Sequence, residues 1–167
     1  MKKVLLATAF VALVLGGCSS NSGEDKSTES GSAAVTSSSV AESADKFYGV
    51  GEKVVVGDIG YTLTNVSLVD ERNEYADTNP KYVVKVEYLF ENGTDEDKPV
   101  GMDLSVYDSS GNKAETYPLD STMDSVAAGK SMNVVEYYGL DVLGETELQF
   151  APAISLEDAA IFRVNLQ

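Results

Sequence analysis

The chain has 167 residues, and its 12 basic side chains stand against 27 acidic ones, which gives a formal net charge of −15 at pH 7. A surface this acidic repels nucleic acid and anionic lipid headgroups, so no nucleic-acid partner is expected. The chain has no histidine and a single cysteine, which excludes Ser-His-Asp and Cys-His catalysis, the usual imidazole or thiolate sites for zinc or copper, and an intrachain disulfide.

The N-terminus has the order of parts of a secretory signal peptide. Lys2 and Lys3 precede an apolar run over residues 4–15, and two glycines follow it. A basic start, an apolar run and small residues before the cut are typical of such a leader. As a helix the run would rise about 18 Å, well short of a hydrocarbon core of about 30 Å. We therefore predict a signal peptide over residues 1–17 and no permanent membrane-spanning helix.

The segment Leu15-Gly16-Gly17-Cys18 resembles the bacterial lipobox, in which leucine and two small residues precede a cysteine that becomes the new N-terminus. The resemblance implies cleavage between Gly17 and Cys18 and a diacylglyceryl group on the Cys18 thiol. Two acyl chains hold a protein stably on a bilayer, whereas one is marginal. Cleavage would leave 12 − 2 = 10 basic residues against 27 acidic ones, a net charge of −17. The alternative is an incidental cysteine.

Residues 18–46 predict a lipidated cysteine followed by a disordered tether. Ten of the twenty-eight residues from 19 to 46 are serine, and Val35 and Val40 are the only large apolar side chains. Such a composition cannot bury enough apolar surface to offset the entropy of ordering. A flexible chain of this length has a root-mean-square span of about 29 Å.

Beyond the predicted signal peptide the first aromatic residue is Phe47, and residues 47–167 have the length of one domain. The segment 81–92 alternates apolar and polar side chains with period two, as a β-strand does. Val83 and Leu89 interrupt its polar face, which indicates a strand in the middle of a sheet. Weaker period-two patterns predict six further strands, at residues 52–58, 61–69, 102–108, 131–138, 145–150 and 161–166.

Two local features qualify this pattern. The second strand changes phase between Leu63 and Val66, which predicts a β-bulge. Residues 155–160 predict one helical turn with Ser155 as its N-cap. Short strands separated by glycine-containing turns and lacking a long helical period favour an all-β fold. We predict an immunoglobulin-like antiparallel β-sandwich of about seven strands, with neither a disulfide nor the tryptophan that often packs on it.

The order of these segments resembles an immunoglobulin-like family of unknown function that is common in bacterial lipoproteins. The resemblance is carried by Val50-Gly51-Glu52, the long strand over 84–92, the hairpin at 108–111 and Ala128-Gly129-Lys130. It covers nearly all of residues 48–167 and implies similarity in fold to a secreted mycobacterial immunogenic antigen. It implies no catalytic residue.

The candidate metal ligands are the carboxylates of the loop that should join the second and third strands: Asp70, Glu71, Glu74 and Asp77. Calcium accepts oxygen ligands in variable geometry, although the spacing matches no EF-hand. The alternative, which we favour, is a solvated acidic loop. The same holds for the carboxylates at 95–97 and for the turn at 108–112. Paired carboxylates could in principle serve glycoside hydrolysis.

Tyrosine supplies the other candidates. Tyr75 lies in the acidic loop, and Tyr137 and Tyr138 are adjacent, so both cannot face inward. An exposed loop tyrosine suits recognition of a protein or glycan. The alternative is packing at the core edge.

These observations predict a lipid-anchored envelope protein on the extracytoplasmic face of a bacterial membrane, attached through Cys18. Its domain would be a non-catalytic binding module for a protein or cell-wall partner, without a cofactor. The alternative is a solute- or ion-binding accessory domain for a transporter or envelope enzyme, and an envelope hydrolase is a third possibility. An apolar pocket between the sheets would favour the solute-binding function, and two carboxylates facing each other across a cleft would favour a hydrolase.

Overall fold

The computed structural model describes residues 46–167, so the predicted signal peptide, Cys18 and the tether up to residue 45 lie outside the described residues. The described chain forms eleven strands and no helix. In chain order they are β1 (Phe47–Tyr48), β2 (Lys53–Val56), β3 (Ile59–Val69), β4 (Tyr82–Asn92), β5 (Lys98–Val100), β6 (Leu104–Tyr107), β7 (Glu115–Thr116), β8 (Asp124–Val126), β9 (Ser131–Leu140), β10 (Gly144–Phe150) and β11 (Ala160–Leu166).

All seven predicted strands are present, as β2, β3, β4, β6, β9, β10 and β11. The predicted number was too low, because β1, β5, β7 and β8 are additional strands of two or three residues. A segment this short cannot show a period-two pattern, so only its pairing with a neighbour defines it.

The strands form two sheets and a ribbon. One sheet has the order β1-β11-β10-β6, the other has the order β2-β3-β4-β9-β7, and β5 pairs with β8 alone. Every pairing is antiparallel except that of β1 with β11, which is parallel. The predicted β-sandwich is confirmed, and β4 lies in the middle of its sheet as expected.

The predicted bulge is confirmed in β3. Its register against β4 shifts between Leu63 and Asn65, and the Thr64 hydroxyl donates to the Glu87 carbonyl at 2.8 Å. Leu63 is buried before the shift, and Val66 packs against the core after it. The additional residue therefore returns the apolar side chains to the inner face.

The predicted helical turn at residues 155–160 is wrong. The chain bends there, and β11 already begins at Ala160, paired with Phe150 of β10. The Ser155 hydroxyl does accept a hydrogen bond from the Glu157 amide at 3.0 Å. A helix must fix a full turn before its first hydrogen bond offsets the entropy, and here the Ser155 side chain satisfies the Glu157 amide without such a turn.

Aromatic rings fill the space between the sheets. The Tyr61 ring centroid lies 5.7 Å from that of Phe90 and 5.1 Å from that of Phe150, which is 5.3 Å from Phe162. All four side chains are buried. Burying a large apolar side chain stabilises a fold by about 1.5–3 kcal/mol, so these four rings are a main part of the apolar core that holds the two sheets together.

The connections divide between two ends of the sandwich. The proximal end is defined by the paired starts of β1 and β11, the turn at 57–58 and the connection 151–159. The turn and the connection are close together, since the Glu157 side chain lies 3.9 Å from where a Cβ atom on Gly57 would be. The distal end is defined by the β3–β4 loop at 70–81, the turn at 108–112 and residues 141–143. The chain therefore enters the domain at the end opposite the acidic loop.

Strand β1 is held at this entrance by its pairing with β11, by the packing of Tyr48 on Phe162 and by Arg163. The Arg163 guanidinium carbon lies 3.3 Å from the centroid of the Phe47 ring, and its nitrogens lie 3.2 Å from Glu145 and 3.5 Å from Glu147. A guanidinium stacks well on an aromatic face while its edge binds carboxylates. The first two residues of the sheet are thereby fixed.

Candidate functional site

The β3–β4 loop at the distal end is held by its own polar groups. The Asn73 amide donates to the Tyr117 hydroxyl at 3.0 Å, and its side-chain nitrogen donates to the Pro118 carbonyl at 2.7 Å. Its side-chain oxygen accepts from the Tyr75 amide at 2.9 Å. Arg72 spans the base of the loop, since it donates to the carbonyls of Val69, Glu71 and Lys81. The loop therefore presents Tyr75, 85 % exposed, from a defined backbone.

The four candidate calcium ligands, Asp70, Glu71, Glu74 and Asp77, all lie exposed on this loop. Within residues 46–167 the structure brings no three carboxylate or thiol side chains into a group that could hold a metal ion. At the turn that follows β6, the Asp108 carboxylate accepts instead from the amides of Ser110 and Asn112, both at 2.9 Å. The loop carboxylates give the surface around Tyr75 a negative charge.

Tyr137 and Tyr138, the other two candidate contact tyrosines, do not lie on a loop. Both lie within β9, where alternation sends one side chain to each face. Tyr138 is buried in the core and Tyr137 is half-buried. Of the three candidate contact tyrosines, only Tyr75 lies on a loop.

A polar cleft of about 430 Å³ adjoins the β3–β4 loop. One wall is the loop segment 78–80, and the other carries Asp108, Lys113 and Asp141. The Asp141 carboxylate also accepts from the Lys81 amide at 3.3 Å, which ties the two walls together. The lining has charges of both signs and the side-chain amides of Asn79 and Asn112, so the cleft could bind polar groups of a ligand.

Several exposed apolar side chains lie on connections between the strands. Ile154 and Leu156 are fully exposed on the β10–β11 connection, and Met102 and Met123 are exposed beside β5 and β8. Ile154 also lines a small cavity of about 190 Å³ together with Phe90, Pro99 and Pro152. Glu157 and Asp158 follow directly in the sequence.

Sequence reasoning missed a group of polar side chains inside the sandwich. Asp103 is 4 % exposed and Glu136 is 3 % exposed. The Tyr88 hydroxyl lies 2.9 Å from Asp103 Oδ1 and 2.8 Å from Glu136 Oε1. The Tyr138 hydroxyl lies 2.6 Å from Glu136 Oε2 and 3.0 Å from the Leu104 carbonyl oxygen. We call these two carboxyl groups and two phenols the buried cluster.

Burial dominates the electrostatics of the buried cluster. It raises the pKa of the Asp103 and Glu136 carboxyls, although hydrogen bonds from Tyr88, and for Glu136 also from Tyr138, act in the opposite direction. Burial, together with the charges of these carboxyls, also raises the pKa of both phenols, which keeps them protonated.

The sequence did contain a signal for the inward position of Glu136. In β9, alternation puts Glu136 on the same face as the buried residues Val134 and Tyr138.

Solved structures resemble this fold. No protein-family model and no curated protein matches the chain. The chain superposes on the "putative lipoprotein (ycdA)" of Bacillus subtilis with a TM-score of 0.58 and 16 % identity, covering 68 % of this chain and 38 % of that one. The chain thus spans little more than a third of that protein.

Two other solved proteins are covered along their whole length. The yjhA protein of Bacillus subtilis gives a TM-score of 0.56 at 13 % identity over 71 % of this chain and 100 % of that one. The secreted protein MPT63 of Mycobacterium tuberculosis gives 0.51 at 11 % identity over 72 % and 100 %. At these identities the likeness establishes a shared β-sandwich fold.

Among residues 46–167 there is no helix that is long and apolar enough to cross a membrane.

Proposed function

We propose that the protein is a lipid-anchored lipoprotein of the bacterial cell envelope whose β-sandwich is a non-catalytic binding domain for a protein or cell-wall partner. Its attachment is through a diacylglyceryl group on Cys18, as the lipobox predicts. The similarity in fold to a "putative lipoprotein (ycdA)" and to a secreted protein supports a location outside the cytoplasm.

The observation that carries the proposal is the position of Tyr75. The chain enters the domain at Phe47 on the proximal end, whereas Tyr75 is 85 % exposed at the distal end. A tether joined to Phe47 leaves the distal end free to meet a partner. Loops at one end of a sandwich are the usual binding surface of immunoglobulin-like domains.

The chemistry of the distal end indicates the character of the partner. Exposed carboxylates at Glu74 and Asp77 accompany Tyr75 on the loop, and the polar cleft lies beside it. An aromatic contact surrounded by negative charge fits a partner surface with cationic groups around an apolar patch. Rim charges of this kind act mainly on the rate of association and on specificity.

The positions of the buried carboxylates favour a binding role over a hydrolase. Asp103 and Glu136 converge on one tyrosine but are 4 % and 3 % exposed, whereas a glycosidase pair must flank a bound substrate. The space between the sheets, where a solute-binding domain would hold its ligand, is filled by the rings of Tyr61 and Phe150.

Site-specific photocrosslinking in living cells tests the proposal. A benzophenone amino acid replaces Tyr75 in the anchored protein, and a matched control replaces Val55, which is 60 % exposed on β2, away from the β3–β4 loop. We expect a discrete covalent adduct at position 75 that is absent at position 55. A second chain carries the crosslinker at position 75 together with Glu74→Gln and Asp77→Asn. It should give less adduct than the chain with both carboxylates, and this difference should be larger at low salt, where charges are screened less.

Equal labelling at positions 75 and 55 would indicate random collision and contradict a distal binding surface. A third chain carries the crosslinker in place of Ile154, which is fully exposed on the β10–β11 connection. A discrete adduct at position 154 without one at position 75 would place the contact at the proximal end instead.

A further inference from the structure

We propose that the buried cluster is a proton-binding site, in which Glu136 carries a proton in the folded domain at neutral pH. The domain would consequently contain a built-in sensor that weakens the fold as the pH rises. This inference is independent of the proposed binding function.

Counting hydrogens leads to this conclusion. The buried cluster contains four oxygen–oxygen contacts of 2.6–3.0 Å: Tyr88 with Asp103, Tyr88 with Glu136, Tyr138 with Glu136, and Tyr138 with the Leu104 carbonyl. Each contact needs one hydrogen between its two oxygens. The two phenols supply two hydrogens, and a carbonyl oxygen or an ionised carboxylate supplies none. If both carboxyls were ionised, two contacts would place lone pairs against each other in a buried site.

One additional proton on Glu136 removes one of these two conflicts. Tyr138 can then donate to the Leu104 carbonyl, while Glu136 donates to the Tyr138 oxygen at 2.6 Å. Tyr88 remains free to donate to Asp103 at 2.9 Å. Three of the four contacts become hydrogen bonds with a single proton gained.

The surroundings of the two carboxyls indicate which one holds the proton. Asp103 Oδ1 also accepts from the Gly101 amide at 3.1 Å, and a backbone N–H stabilises the ionised form. Glu136 accepts only from the two phenols among the described residues. Asp103 is therefore the ionised partner and Glu136 the protonated one.

The other titratable groups that face the buried cluster do not supply a compensating charge. Tyr61 faces Asp103 from β3 with a buried hydroxyl, and it carries no positive charge. The remaining sides are formed by β4 with Tyr88, β9 with Tyr138, the β6 backbone at Leu104 and the ring of Phe150 on β10. No lysine or arginine of residues 46–167 contributes to the pKa of either carboxyl.

A bound cation is a poorer explanation than a proton. Calcium and magnesium hold oxygen ligands at about 2.0–2.6 Å, so two ligands of one ion stand about 3 Å or more apart. The contact of 2.6 Å between Tyr138 and Glu136 is too short for that arrangement and fits a shared hydrogen.

The sign of the pH effect follows from linkage. Burial raises the pKa of Glu136 in the folded state, so the folded domain binds more protons than the unfolded chain. The stabilisation is complete below the unfolded pKa, about 4.3 for glutamate, and is lost as the pH rises towards the folded value. Within that window the folding equilibrium constant falls about tenfold for each pH unit.

The test compares urea unfolding of the full chain with that of Glu136→Gln between pH 4.5 and 8.5. Glutamine has nearly the same shape, donates to Tyr138 through its amide nitrogen as the protonated glutamate does, and cannot titrate. We expect the ratio of the two unfolding constants to change about tenfold per pH unit in the lower part of the range, with the wild type losing stability as the pH rises. The other carboxylates change the stability of both chains with pH in the same way, so their effect cancels in this ratio.

Glu87→Gln is the matched control on the outer face of the neighbouring strand β4. Hydrogen bonds from Asn65 and Lys85 lower the pKa of Glu87. The wild type should therefore not lose stability relative to Glu87→Gln as the pH rises. Parallel pH profiles for the wild type and Glu136→Gln would overturn the proposal.

A spectroscopic measurement decides the question even if Glu136→Gln does not fold. The carboxyl carbons of the wild-type chain, labelled with ¹³C in glutamate, are followed by NMR against pH. We expect one glutamate to titrate well above the others, and the infrared band of a protonated carboxylic acid to persist at pH 7. The assignment to Glu136 would be overturned if every glutamate titrated in the ordinary range. It would also be overturned if Asp103→Asn removed the infrared band and Glu136→Gln did not.

Discussion

Asn92 at the end of β4 is the residue whose replacement should disturb the proximal end most. It is 2 % exposed, and its side-chain nitrogen donates to the carbonyls of Val126 at 2.8 Å and Glu96 at 2.7 Å. Its oxygen accepts from the Thr94 amide at 3.0 Å and from the Thr94 hydroxyl at 2.7 Å. One side chain thus ties the connection after β4 to strand β8.

The cost of Asn92→Ala follows from these four bonds. The Val126 carbonyl lies in a buried setting, and leaving such a group without a partner costs about 1–3 kcal/mol. The bonds to Glu96 and Thr94 are closer to solvent, where water replaces part of a contribution of about 0.5–1.5 kcal/mol each. We expect a loss of about 2–4 kcal/mol in the free energy of unfolding, a large part of the 5–15 kcal/mol that is usual for a domain.

Urea unfolding followed by tyrosine fluorescence measures this loss, because the chain has nine tyrosines and no tryptophan. With a urea dependence of about 1–3 kcal/mol per molar, the midpoint should fall by about 1–2 M. Asn65→Ala is the control, since the exposed Asn65 side chain donates at 2.8 Å to the half-buried Glu87 carboxylate on the outer face of the sheet. Its effect should stay within about 0.5 kcal/mol.

Asn92→Asp separates the lost hydrogen bonds from the lost volume. It keeps the shape of the side chain but places an oxygen against the Val126 and Glu96 carbonyls, so it should destabilise at least as much as alanine does. An Asn92→Ala chain as stable as Asn65→Ala, or an Asn92→Asp chain as stable as the wild type, would refute the reasoning.

Two further predictions concern the anchor and the acidic loop. Cys18→Ala should abolish incorporation of an alkyne fatty acid in metabolic labelling, because the thiol is the predicted attachment atom, while the domain still folds; continued labelling would disprove the lipobox prediction. Millimolar calcium should raise the melting temperature only slightly and no more than magnesium does, because the exposed carboxylates are screened diffusely. A true site would add about 2.7 kcal/mol at a hundredfold excess over Kd, and a calcium-selective rise of several degrees, removed by Asp77→Asn or Glu74→Gln, would establish one.

The strand pattern was readable because side chains alternate in direction along a strand, whatever lies around it. This local rule was enough to identify β4 as a central strand and to place the bulge after Leu63. It was also enough to place Tyr75 on a connection, since no period-two pattern covers residues 70–80. The same rule, applied to β9, would have put Glu136 on the inward face with Val134 and Tyr138.

The tertiary structure decided which residues meet. Strands β1, β5, β7 and β8 exist only through their partners, and the segment predicted as a helical turn instead ends at Ala160, the first residue of β11, which pairs with Phe150. Asp103 and Glu136 are more than thirty residues apart in the sequence, yet both lie within hydrogen-bonding distance of Tyr88. Alternation determines the face to which a side chain points, but the residue opposite it across the core depends on how the chain crosses between the sheets, and no local pattern encodes that path.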